Sequence, residues 1–373
     1  MVLDSRTDAL YISEKLFSLS NRTQSGLGEG TLAAKRTAPR PRVGIKDVAQ
    51  AAGVSVATVS RVLNGVDTVG PELRARVASV AEDLGYRPNP HARALHTGRS
   101  HAVGVAATYL GGFFGNLFDG LEARFVDAGY RLLVASGDGG RSSEKATLVD
   151  LLDRLVDGLV ISLEAVSDAD LTEIVARGTP CLIVGRIVPG IEDRCLAFDQ
   201  RQGGAMAARH LLAMGHRQVG HIAGPEANLH ARQRKAGFLA AMATAGLPVP
   251  EERVVPGDFQ ERGGRDAMRK LLARHDVTAV FAANDQMALG ALGALWEKGL
   301  SCPQDVSLIG FDDQNVAPYT APPLTTIRQP LEDLGRLAAD RLVLEIRGDR
   351  VAGRPELPTL ALVKRASVRR REV

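Results

Sequence analysis

The stretch DVAQAAGVSVATVSRVLN, residues 47–64, constrains the fold of this 373-residue chain more than any other. Val48, Ala49 and Ala52 recur at helical spacing behind Ile45 and leave Lys46, Asp47 and Gln50 to water, so its first half is a short amphipathic helix. Gly53 can end that helix in the left-handed region, and Ser55 can cap a second one whose Val59, Val62 and Leu63 turn back toward the first. The opposite face of the second helix carries Val56, Ala57, Ser60, Arg61 and Asn64, a set too small and polar for a core and slim enough for a DNA groove. This is the pattern of a helix-turn-helix. On that reading Arg61 meets guanine O6 and N7, Val56 and Ala57 pack on thymine methyls, and Ser55, Thr58 and Asn64 hold phosphates. The competing reading is a plain helical hairpin inside a larger core.

Pro71 suits the first position of a third helix, in which Leu73, Val77, Val80 and Leu84 form an apolar seam before Gly85. After Tyr86, the segment RPNPHARALHTGRS has almost nothing to bury, although Asn89 can cap a short helix that begins at Pro90. Such a helix is marginal without a partner. Net charge is only +3, but residues 35–100 hold eleven basic side chains against five acidic ones. The surplus sits where phosphate contacts require it. Residues 1–42, rich in Ser, Thr, Gly, Arg and Pro, read as a disordered extension, with AAKRTAPRPR either a basic arm that tracks phosphates or a segment without a role.

From His101 onward the pattern changes. VGVAA (103–107), GLVIS (158–162), PCLIVG (180–185), VGHIAG (219–224), AVFAA (279–283) and VSLIGF (306–311) read as buried parallel strands. Between them lie amphipathic helices, among them 118–128, 144–155, 202–214, 231–245 and 286–298, so the fold class is α/β with doubly wound layers. Such sheets bind ligands beyond the carboxyl ends of their strands. Asp312, directly after VSLIGF, and Asn284, directly after AVFAA, are therefore candidate ligand residues; the plainer reading is that they cap turns. Cys181, Cys195 and Cys302 are scattered without metal or disulfide spacing and read as free thiols of a reducing cytoplasm. No G-x-G-x-x-G follows the first strand, and neither G-x-x-x-x-G-K-[ST] nor G-x-S-x-G occurs, so no catalytic constellation, cofactor or metal is implied. No signal peptide or membrane span is legible.

With DVA..AGVS..TVSRVLN followed by GYRPN..AR.L, residues 43–99 resemble the headpiece and hinge of the lactose-repressor (LacI/GalR) family of bacterial transcription factors. The likeness continues through GHR (215–217), AGP (223–225), ANDQMALGAL (283–292), GFDD (310–313) and PPLTTIRQ (322–329), and covers about nine tenths of the chain. One departure is Gly70, where the family usually has serine. The resemblance implies an N-terminal all-α helix-turn-helix headpiece over 43–88, a hinge helix and linker over 89–100, and a periplasmic-binding-protein-like core over 101–373. In that core, subdomain N takes about 101–199 and 330–357, and subdomain C about 200–329 and 358–373. In the hinge, Asn89, Ala92, Leu95 and His96 would meet DNA, with Leu95 prising open a base step from the minor groove.

The same resemblance implies an effector cleft. Arg234 matches a position whose guanidinium reaches a polar ligand, Phe259 an aromatic platform, Phe113 and Phe114 pocket walls, and Arg186 and His230 variable pocket positions; Asp312 and Asn284 complete the set. Arg186, in VGR, departs from the aspartate found there in several relatives. The expectation is a cytoplasmic homodimer that binds a palindromic operator in double-stranded DNA as a repressor, tuned by a small-molecule effector, a sugar rather than a nucleobase, without a membrane or an enzymatic step. The rival reading is a solute-binding protein of sugar uptake.

Overall fold

A computed structural model describes residues 43–63, 68–87, 98–108, 113–137, 139–274, 276–349 and 353–371. The extension over 1–42 and the hinge helix over 89–97 lie outside them. The chain divides into two compact units, Met1–Pro88 and Asn89–Val373.

In the first unit, α1 (Ile45–Ala52), α2 (Val56–Leu63) and α3 (Pro71–Asp83) surround one small core. Val48, Val59 and Val77 are fully buried there, each contributing about 1.5–3 kcal/mol through lost apolar exposure. Asp47 does not simply face water: its carboxylate accepts the Gly44 N–H at 2.7 Å and closes the start of α1. Gly53 ends α1 at φ 66°, and the Ser55 hydroxyl caps α2 by accepting the Thr58 N–H at 3.1 Å. Leu84 differs from the sequence reading. It stands past the end of α3 and is exposed, while Tyr86 packs on the core in its place.

The second unit holds two parallel sheets. The first runs β2–β1–β3–β4–β5, with β1 Ala102–Ala107, β2 Arg131–Ser136, β3 Gly158–Ser162, β4 Cys181–Val184 and β5 Cys195–Leu196. Alternation along the strands sends Val103, Val105 and Ala107 to one face, against α4 (Phe113–Asp127) and α11 (Leu331–Arg347). Ala106, Leu159 and Ile161 face the other way, against α5 (Arg141–Asp153) and α6 (Asp168–Ala176).

The second sheet runs β11–β10–β9–β8–β6–β7, with β6 Val219–Ala223, β7 Val254–Pro256, β8 Ala279–Ala282, β9 Ser307–Asp312, β10 Thr325–Arg328 and β11 Ala361–Val363. Only the β10–β11 pair is antiparallel among the described strands. Around it lie α7 (Gln200–Ala213), α8 (Leu229–Thr244), α9 (Glu261–Arg274) and α10 (Asp285–Glu297). The chain passes between the two lobes after β5, after β10 and between α11 and β11.

Helices start earlier than the apolar periodicity places them, because polar caps sit upstream of the periodic residues. Asp199, Asn228 and Asn284 accept the N–H groups of Gln202, Ala231 and Met287 at 2.9, 3.0 and 2.9 Å. One close helix crossing positions the site described next. A Cβ on Gly204 would lie 2.0 Å from the Arg234 carbonyl oxygen, and one on Gly237 1.9 Å from that of Arg201, so only glycines let α7 and α8 approach this closely.

Candidate functional site

Two surfaces carry the residues singled out in the sequence. On the first unit, Ser55, Val56, Ala57 and Arg61 are exposed, while Thr58 and Ser60 are half-buried. The Ser55 and Thr58 hydroxyls lie 2.9 Å apart, so the cap engages two of the three residues read from the sequence as phosphate contacts. Val56 remains 40% exposed although its neighbour Val59 is wholly buried, so the slim face of α2 is outward within its own unit. Asn64, Asn89, Ala92, Leu95 and His96 lie outside the described residues.

The second surface is built at the carboxyl ends of the second-lobe strands. Asp312 ends β9 at φ 107°, Asp313 follows at φ 55°, and Phe259, after β7, stands at φ 66°. Side chains with a Cβ rarely adopt this region, and such strain persists where the surroundings hold it, which is commonest at ligand sites. The Phe259 ring lies on Gly224 of the AGP turn, where a Cβ would come within 2.5 Å of it. Asn284 caps α10 through its side-chain oxygen and donates its amide to the Phe259 carbonyl at 3.0 Å, so in this arrangement it braces the aromatic residue.

Arg234 and Asp312 form a pair at 3.2 Å, both side chains 5% exposed. Arg234 also donates Nε to Gln200 at 2.8 Å and Nη1 to the Ala283 carbonyl at 2.6 Å, and its guanidinium lies 3.8 Å from the Phe311 ring centre. Its donors are thus turned to protein acceptors rather than held free in a cleft. Burial raises the Asp312 carboxyl above its ordinary range, with Arg234 and Gln329 opposing, and burial lowers Arg234 with Asp312 opposing. Behind them, burial and then the Asp312 charge push the Asp285 carboxyl well up. Asp285 accepts from Thr326 Oγ1 at 2.6 Å and from the Gln314 N–H at 2.7 Å, which fixes the turn that follows Asp312.

The first lobe supplies the facing wall. Arg186, after β4, donates to the Val166 carbonyl and lies 3.7 Å from Asp168, while its Nε is buried without a partner among the described residues. His230, on α8, has its Nδ1 buried in the same state, and burial, with the Arg234 charge beside it, lowers its imidazole to about 4. A Cβ on Gly185 would sit 3.4 Å from His230 Nε2, so the two lobes touch here. They touch again where Asn228 Nδ2 reaches both carboxylate oxygens of Glu164 at 2.8 Å. Phe114 belongs to the first-lobe core at 7% exposure, and the side chain of Phe113 is outside the described residues.

The geometry therefore brings Arg234, Asp312, Phe259, Asn284 and His230 to one lobe's rim, with Arg186 opposite. Sequence reasoning missed Gln200, Gln329, Glu164 and Asn228. Glu164 follows the strand GLVIS by two residues and was reachable from the rule that ligands meet strand ends, whereas Gln329 closes the quoted PPLTTIRQ behind β10, a strand the apolar pattern does not reveal.

Comparison with known proteins gives matches along most of the chain. Residues 44–89 match the family model described as bacterial regulatory proteins, lacI family, and residues 208–368 match a periplasmic binding protein-like domain. The HTH-type transcriptional regulator GalR of Escherichia coli (strain K12) is 37% identical over 329 residues, which cover 87% of this chain and 95% of that protein. Among solved structures, a lac repressor dimer bound to operator and the anti-inducer ONPF superposes with a TM-score of 0.79 at 31% identity, covering 88% of this chain and 99% of that one. A complex of the transcriptional regulator CelR with cellobiose gives 0.65 at 34% identity, covering 87% and 100%.

Proposed function

Because this chain belongs to the lacI family of bacterial regulatory proteins, and is a DNA-binding transcriptional regulator rather than an enzyme, we propose that it is a repressor that binds a palindromic operator as a homodimer and releases or tightens it in response to a sugar. The observation that carries the proposal is the outward face of α2, where Val56, Ala57 and Arg61 are exposed over a closed three-helix core. Arg61 is assigned to guanine, Val56 and Ala57 to thymine methyls, and Ser55, Thr58, Ser60 and Asn64 to register on the backbone. The hinge over 89–100, with Asn89, Ala92, Leu95 and His96, is assigned to the minor groove.

In the core, the effector is assigned to the rim of Asp312, Arg234, Asn284, Phe259 and His230, with Arg186, Phe113 and Phe114 on the first lobe. An aromatic face beside a carboxylate suits a sugar, whose C–H face stacks while its hydroxyls donate in the plane. The cellobiose complex of a structural relative supports that class. Among the described residues no helix is long and apolar enough to cross a membrane; the proposed site of action is the cytoplasm, where the DNA is. Sugar uptake, the rival reading, is set aside by relatives that match headpiece and core together and are regulators.

Two-state linkage gives the mechanism: whatever the sugar does to operator affinity, operator does to sugar affinity by the same factor. Selection of bound duplexes from random DNA, followed by titration at fixed salt with a panel of free mono- and disaccharides, tests it. A palindromic consensus whose affinity one sugar changes is the expected result; binding with no sequence preference overturns the proposal.

A further inference from the structure

Four side chains close a hydrogen-bonded ring at the passages between the lobes. Arg234 donates Nε to Gln200 Oε1 at 2.8 Å, Gln200 donates Nε2 to Gln329 Oε1 at 2.7 Å, Gln329 donates Nε2 to Asp312 Oδ1 at 2.8 Å, and Arg234 Nη2 returns to Asp312 Oδ1 at 3.2 Å. All four residues are buried, at 4, 3, 3 and 5% exposure. The ring has a fixed direction. Arginine can only donate and a carboxylate only accept, so each glutamine must accept on the Arg234 side and donate on the Asp312 side. Reversing either amide would set two donors or two acceptors face to face in a buried place, which is costly.

Position gives the ring its meaning. Gln200 is the first residue of α7, just after the first passage from β5, and Gln329 lies between β10 and α11 on the second passage. Arg234 and Asp312 belong to the second lobe, where the close α7–α8 crossing and the turn held by Asp285 fix them. Two of the three interlobe passages are therefore tied to each other and to the strained Asp312.

We infer that Gln200 and Gln329 are positioning residues that set the angle between the lobes, and that a ligand hydroxyl accepted by Asp312 acts by displacing the Gln329 amide and loosening the second passage. The last step rests on the assignment of Asp312 to the effector. Neither glutamine has to touch the ligand. A relay of this kind turns one exchanged hydrogen bond into a lobe rotation, because the ring ties two of the three passages to each other.

The test is an interlobe distance measured by pulsed electron paramagnetic resonance on the full chain. Spin labels go on the exposed positions Ala176→Cys in the first lobe and Lys270→Cys in the second, in a Cys302→Ser background. Gln200→Met and Gln329→Met keep length and remove the bonds. Both are expected to shift or broaden the distance distribution with circular dichroism unchanged, and Gln329→Glu, which sets a carboxylate against Asp312, to do so more. A role confined to packing lowers thermal stability but leaves the distribution of the folded protein where it was, and that result overturns the inference. Should the methionine variants fail to fold, Gln329→Asn keeps an amide too short to span the gap, and an unchanged distribution for it is equally contradictory. Cellobiose added to the parent separates the two readings: variants that shift while no sugar of a wider panel moves the parent leave the ring intact and count against the effector assignment alone.

Discussion

The α2 face and the Asp312 rim solve opposite problems. Val56, Ala57 and Arg61 are exposed on their own unit, and among the described residues their side chains make no bond that a duplex would have to break. Asp312 and Arg234 are already paired, buried and bonded to two glutamines, so a ligand at the proposed site would compete with bonds the protein makes to itself. The lesson is that a reader of many similar sites keeps its contacts ready, whereas a switch keeps its contacts occupied by the alternative state. Changes at the rim should thus cost the fold heavily, and changes on the face should cost recognition while sparing the fold.

The largest effect expected from that contrast is Asp312→Ala. It leaves the Arg234 guanidinium buried without its counter-charge, and arginine cannot shed its proton, so the core should lose about 3–5 kcal/mol in urea denaturation. The effector response should vanish with it. A loss below about 1 kcal/mol would mean that the pair is no more than a surface contact and would break the contrast.

Acid should act on the core through its histidines. Burial lowers His221 and His230 to about 4, below the ordinary value near 6.5, so the unfolded chain binds more protons in the window between. Stability is then complete above pH 6.5 and is lost as pH falls toward 4, by at most about 1.4 kcal/mol per pH unit for each ring. His221 stacks 4.8 Å from the Phe281 ring, so His221→Phe should keep the packing and flatten part of this slope. An unchanged slope would count against burial as its cause.

On the other surface, Arg61→Ala should weaken specific operator binding by about 1–3 kcal/mol and relax selectivity at one base pair, with the melting temperature unmoved. A melting temperature that falls as well would place Arg61 in the fold rather than on the reading face. The smallest effect is that of Ser55→Ala, which removes the cap of α2 and should cost the first unit about 1 kcal/mol in thermal unfolding.

What the sequence made legible follows a physical line. The six apolar runs correspond to β1, β3, β4, β6, β8 and β9, all interior strands covered on both faces. The sequence reading left out β2, β5, β7 and β11, which are the sheet edges, partly exposed or only two or three residues long. A continuous apolar run reports burial on both faces, and edges do not have it. The one interior strand left out, β10, buries Thr325 and Thr326, whose hydroxyls bond to the Arg365 N–H and to Asp285, so burial there is achieved with polar residues. The same blindness hid Gln200 and Gln329. A single glutamine carries no periodic signal, and its meaning arises only when distant passages meet. Asp312, by contrast, stood out because it follows a strong strand.

The central claim is that an outward, slender α2 face reads DNA under the control of a filled cleft. Fluorescence anisotropy of a selected operator duplex, titrated at fixed salt with and without a saturating sugar from the panel, tests it most directly. The account predicts sequence-selective affinity that the sugar changes by about 5–150-fold, the range typical of coupled sites. Equal affinity for operator and scrambled duplexes, unmoved by any sugar, would contradict it.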